Sequence, residues 1–169
     1  TDLKTLTADA KHTDNIPGTD AMYGIAVDID GDYLLVGSPG RGVSYEKWGM
    51  AIREKLWDTN YSEREFDASS PESHVAFGDR IAADDGIGVI GAYQEDNGFR
   101  TDAGAIYIVD VAGCCSPTTS TKKIRAPETV SKYSRFGYAV DMDSGKIVAS
   151  APHQSQTDEL SGAVYIFDA

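Results

Sequence analysis

The sequence predicts an all-β protein built from three four-stranded antiparallel meanders, the last of them closed by the N-terminal strand. Three observations carry that expectation. One pattern occurs three times: YGIAVDIDGDYLLVGSP from Tyr23, FGDRIAADDGIGVIGAY from Phe77 and FGYAVDMDSGKIVASAP from Phe136. The starts lie 54 and 59 residues apart, a period at which repeat architectures are considered before a single irregular domain. Within each copy a stretch alternating with period two passes through an Asp/Ser/Gly turn into an almost wholly apolar run, which is how a hairpin with a doubly covered second strand reads.

Each element has its own reason. The first strand alternates through Ile25, Val27 and Ile29 in copy one and through Val140 and Met142 in copy three. It turns at Asp30-Gly31, Asp85-Gly86 or Ser144-Gly145, residues that tolerate positive φ in tight hairpins. The second strands are YLLVG, IGVIG and KIVAS, from Tyr33, Ile87 and Lys146. The third are GAIYIVD from Gly104 and GAVYIFD from Gly162, rich in residues that favour a pleated surface, with the more charged GMAIREK from Gly49 in the same place. The segment WGMAIREKLW, from Trp48 to Trp57, also reads with helical spacing. Fourth strands are placed at REFDAS from Arg64 and KKIRAP from Lys122.

LKTLTA, from Leu3, has the character of these fourth strands and likewise precedes an aromatic-Gly pair, whereas the last copy runs out after its third strand. The N-terminal segment is therefore expected to close the last sheet and cover an edge otherwise open to foreign pairing. The whole chain, 1–169, reads as one repeat domain with units beginning near 23, 77 and 136.

Tyr23-Gly24, Phe77-Gly78 and Phe136-Gly137, together with Gly37-Ser38-Pro39, Gly91-Ala92-Tyr93 and Ser150-Ala151-Pro152, resemble the FG-GAP repeats of integrin-alpha-type β-propellers. The GAxYxF-like strands at Gly104 and Gly162 are similar to the segment that follows GAP in many members. The resemblance implies propeller blades, and a family whose members mostly bind proteins, in some cases glycans, without a shared chemistry. Propellers close with four to eight blades, so three imply a ring completed by a second copy, six blades from two chains. The expected interface residues are Leu3, Leu6, Trp48, Trp57, Tyr165 and Phe167.

The cluster with most chemical promise is DIDGD. Alternate carboxylates at Asp28, Asp30 and Asp32 are how a short loop surrounds calcium with oxygen. The resemblance implies a longer loop for that purpose, and here the chain enters YLLVG before a later acidic ligand. Calcium is thus a possible cofactor at these three residues, and no other cofactor is expected. His12, His74 and His153 lie far apart, and His153 with Ser155 and Asp158 lacks the strand-turn-helix context of a nucleophile, so no catalytic residue is assigned. Cys114 and Cys115 are adjacent; inert thiols, a vicinal disulfide and an intermolecular bridge all remain open. Asn60-Tyr61-Ser62 fits a glycosylation sequon.

A formal charge of −12 repels a phosphate backbone, which argues against a nucleic-acid partner, and the sequence contains no apolar run long enough for a membrane helix. The leading expectation is a noncatalytic structural or protein-interaction module that forms a homo-oligomer and takes other protein subunits, extracellular or surface-associated. A glycan-binding lectin using Trp48, Tyr93 or Tyr133, and a calcium-stabilised adhesion module, are the alternatives.

Overall fold

The computed structural model describes residue 11 and residues 20–41, 49–56, 64–68, 75–113, 122–127, 131–155 and 161–169. Among these residues there are eleven strands and no helix. The first sheet is an antiparallel meander of β1 (Val27–Asp30), β2 (Tyr33–Ser38), β3 (Met50–Lys55) and β4 (Arg64–Phe66). The middle sheet repeats it with β5 (Arg80–Asp84), β6 (Ile87–Ala92), β7 (Ala105–Asp110) and β8 (Lys122–Ile124). The third has β9 (Val140–Asp143), β10 (Lys146–Ala151) and β11 (Ala163–Asp168), with β11 at its edge. The segment with two readings is resolved as strand: Ala51, Ile52 and Arg53 pair with β2 and β4, so cross-strand pairing overrides the helical spacing.

The aromatic-Gly pairs repeat in geometry as well as in sequence. Gly24, Gly78 and Gly137 have φ of +87°, +84° and +86°, a region closed to most side chains. Each donates its N–H to the small residue near the end of its own second strand, Gly37, Gly91 or Ser150. The aromatic in turn meets the preceding sheet: Phe77 bridges to Gly49 and Phe136 to Gly104. The motif therefore sets both the entry to one sheet and its seat on the sheet before it.

Register divides every sheet into two faces. Val27 pairs with Val36 and Ile29 with Leu34, so these four share what we call the leading face. Asp28, Asp30, Tyr33 and Leu35 share the opposite, trailing face, because side chains alternate along a strand. The trailing face of the first sheet packs on the leading face of the middle one, joining Leu35, Ala51 and Phe66 to Ile90, Ala92, Tyr107 and Val109. The trailing face of the middle sheet, with Ala82, Val89 and Ile106, packs in the same manner on Met142, Ile147 and Ala149 of the third. Two layers of the core thus lie between the three sheets, and Val36 and Ile52 are buried on the leading face of the first.

Close approach at these layers depends on glycine. A Cβ at Gly37 would stand 1.8 Å from the Gly78 carbonyl oxygen, and one at Gly91 would stand 2.4 Å from that of Gly137. The penultimate glycine of each of these second strands makes room for the aromatic-Gly turn of the next copy.

Candidate interaction site

The acidic hairpin is built into the first layer contact. The Asp28 carboxylate accepts from Ile29 N–H at 2.8 Å through Oδ1 and from Ala83 N–H at 2.7 Å through Oδ2. Asp30 Oδ2 accepts from Gly86 N–H at 2.6 Å. Asp28 and Asp30 share the trailing face and reach backbone donors of the middle sheet, whereas Asp32 sits exposed in the turn. Among the described residues no group of three or more His, Cys, Asp or Glu is placed to hold a metal ion. What this arrangement does is stitch two sheets together by charge-assisted hydrogen bonds.

Each of the two outermost faces exposes apolar side chains, although Val36, Ile52 and Glu54 of the first sheet's leading face are buried. On the leading face of the first sheet Val27 is 61% exposed and Ile29 58%. On the trailing face of the third Val164 is 67% exposed and Ile166 70%. Tyr165 and Phe167 alternate with these two and turn inward, meeting the Phe136 ring edge-on with centroids 5.3 and 6.1 Å away. They anchor the third sheet to the middle one, and Val164 and Ile166 are the outward members of the same strand. Leu3, Leu6, Trp48 and Trp57 lie outside the described residues, as do Cys114, Cys115, Asn60 and Asp158.

Two charged residues of β3 find partners within the first repeat. Arg53 lies over the Tyr33 ring at 4.9 Å, and the buried Glu54 accepts from the Tyr23 hydroxyl. Beyond the second strands a buried polar residue recurs in each copy: Arg41, Glu95 and Gln154. Each donates its N–H back to that strand, to Ser38, Ala92 and Ala151 O, and accepts from the glycine heading the third strand, Gly49, Gly104 and Gly162. Sequence reasoning passed over this position because its chemistry changes from copy to copy; its constant placement after SPG, AYQ and APH was the available signal.

Between the first two sheets lies a cavity of about 250 Å³ lined by residues including Asp20, Met22, Asp79, Tyr93 and Gln94. Burial raises the Tyr93 hydroxyl above its ordinary value of 10.0, with Asp79 adding to the rise and Arg80 opposing it. Its ring meets Tyr138 edge-on at 5.2 Å. Tyr133 is exposed, beneath the Lys132 ammonium at 4.7 Å. The backbone of His153 donates to Ser134 O at 3.3 Å.

Three meanders stacked face to face, each seated on the last through an aromatic-Gly turn, define a β-propeller-type array of blades. The family model of the FG-GAP repeat matches residues 118–167, which hold the third sheet up to Phe167. A search of curated proteins gave no match.

Proposed function

We propose that this is a noncatalytic β-propeller-type module that works by protein contact, and that two copies complete a ring of six blades. The observation that carries the proposal is the exposed apolar side chains of β1 and β11 on the two outer faces. Inside the chain, a trailing face meets a leading face twice. The faces left over are one leading face, with Val27 and Ile29, and one trailing face, with Val164 and Ile166. A second copy offers each the complement that its equivalents already have.

Burying four such side chains at one junction contributes roughly 4–8 kcal/mol, allowing for the exposure they start with. Association costs about 4–15 kcal/mol. One junction is therefore comparable with that cost, whereas a closed ring gains two junctions against a single association. Light scattering on the full chain tests this: a mass of two chains is expected, reduced to one by Val164→Asp with Ile166→Asp. A wild-type chain of single mass sinks the proposal.

FG-GAP repeats occur in extracellular and surface proteins, and we place this module there too. A glycan-binding reading draws on the cavity that sets Tyr93 and Gln94 beside Asp20 and Asp79. Titration with a panel of sugars separates it from the first reading: heat released by the wild type and lost in Tyr93→Ala supports it, and no heat with any sugar rejects it.

A further inference from the structure

Four charged residues are buried among the described residues: Arg41, Arg53, Glu54 and Glu95. Three of them meet a polar partner. Arg41 Nη2 contacts Glu65 Oε1 at 2.7 Å, Glu54 accepts from the Tyr23 hydroxyl, and Glu95 pairs with Lys123 and accepts from the Tyr107 hydroxyl at 2.6 Å. Arg53 is the exception. It is 7% exposed, its Nε is buried without a hydrogen-bond partner, and no carboxylate among the described residues forms an ion pair with it. Its guanidinium lies over the Tyr33 ring at 4.9 Å, and that attraction does not replace the hydration a buried charge gives up. The repeat itself shows that the fold does not require this charge. Register places Tyr33 and Arg53 where the middle sheet has Ile87 and Ile108, since Leu35 faces Arg53 as Val89 faces Ile108. Both isoleucines pack against the second core layer, and the third sheet has Ile166 at the same place as Arg53.

The neighbours of Arg53 add positive charge. Arg64 stands directly opposite it in the pairing of β3 with β4, a placement that costs stability for like charges. The Arg64 guanidinium covers the Phe66 ring at 5.5 Å and donates to Gly113 O at 3.1 Å. Lys55, two residues along β3, shares the trailing face. The acids of that face, Asp28 and Asp30, lie on β1 and accept from Ala83 and Gly86 N–H; β2 stands between, so two strand spacings, about 10 Å, separate Asp28 from Arg53. Across the layer the middle sheet presents Val109 and Val111, which bring no charge. We propose that Arg53, Arg64 and Lys55 form a binding site for a tetrahedral dianion, sulfate or phosphate, between the first two sheets. The edge of the Arg53 fork offers Nε and an Nη as parallel donors to two oxygens. Arg64 and Lys55 supply further charge, and three cations together favour a doubly charged oxyanion over a carboxylate. Lys55 and Ala112, both exposed, form the solvent side of the site with the half-buried Tyr33, whose hydroxyl donates to Ala112 O at 3.4 Å. The site lies within one chain and needs no second copy.

Melting the full chain in sodium sulfate and in sodium chloride at the same ionic strength tests the site. Sulfate is expected to raise the wild-type Tm by about 3 °C or more over chloride. Arg53→Ile, which copies Ile108, and Arg64→Gln are each expected to abolish that difference. Arg64→Gln leaves the buried Arg53 in place, so it reads the site even where the change at Arg53 disturbs packing. A wild type with the same Tm in both salts overturns the proposal. So does a sulfate rise that either variant keeps in full, because it is then the general effect of an excluded salt on burial. Sodium acetate is expected to give less than about a third of the sulfate rise, and an equal rise overturns the assignment to a dianion. Glucose 6-sulfate separates the two sources of the group: a rise matching that of inorganic sulfate supports a sulfate carried on a larger ligand, and a rise with inorganic sulfate alone supports a free ion.

Discussion

Asp28 holds two backbone N–H groups, one in its own strand and one in the next sheet, and that division decides what its loss costs. Asp28→Ala leaves both donors without an acceptor, and a loss of about 1–3 kcal/mol is expected, measurable by urea unfolding. With both oxygens so engaged, added calcium is expected to leave Tm unchanged; a rise that Asp30→Ala abolishes would establish a calcium clamp instead. Glu95→Ala strands Lys123 beside a buried gap, and the expected cost is about 3–5 kcal/mol, larger than for Asp28. Tyr93 gives a pH signature. Its raised value means that its contribution to stability is complete below pH 10.0 and is lost as pH rises through the higher folded value. The stability difference between wild type and Tyr93→Phe should therefore move against the wild type above that pH, and a constant difference refutes the assignment. The aspartates were legible as a cluster, but their partners were not: Ala83 and Gly86 contribute only backbone N–H groups, which no residue pattern reveals.

At the level of elements, the hairpins and third strands could be read directly, because period-two alternation and the Gly turns are local signals. The faces could be read only in part. Tyr165 and Phe167 stand out in GAVYIFD by size, yet the strand turns them to Phe136 and leaves the smaller Val164 and Ile166 outward; which way a doubly apolar strand points is fixed by its neighbours. The helical spacing of WGMAIREKLW failed for a related reason, since pairing of β3 on both sides settles it as a strand. The closing glycines allow a sharp test at this scale. Gly37→Ala drives a methyl into the Gly78 carbonyl, and separation of the first two sheets is expected to cost at least about 1–3 kcal/mol, seen as a lowered Tm. A Tm equal to that of the wild type would show that this layer can open without penalty.

For the whole molecule, charge opposes the contact that apolar surface favours. Two chains each bearing a formal charge of −12 repel, and added salt screens that repulsion while leaving burial of Val27, Ile29, Val164 and Ile166 intact. The proposed dimer is therefore expected to tighten as ionic strength rises, which sedimentation at several salt concentrations checks; dissociation by salt would mean that ion pairs, and not apolar faces, hold the copies together.

Because each contact between sheets joins a trailing face to a leading face, the array has a direction, like an arrow with a distinct head and tail. Contacts of that kind are heterologous: they end in a ring only when the turn per blade divides the circle, and otherwise they propagate. In the proposed assembly, whether copies stop at two or grow into filaments is then governed by the angle between sheets, which the glycine-to-carbonyl approaches at Gly37 and Gly91 hold fixed. A change at either glycine that the fold survives would act on the shape of the polymer and not on its tendency to form, converting closed particles into fibres visible by electron microscopy.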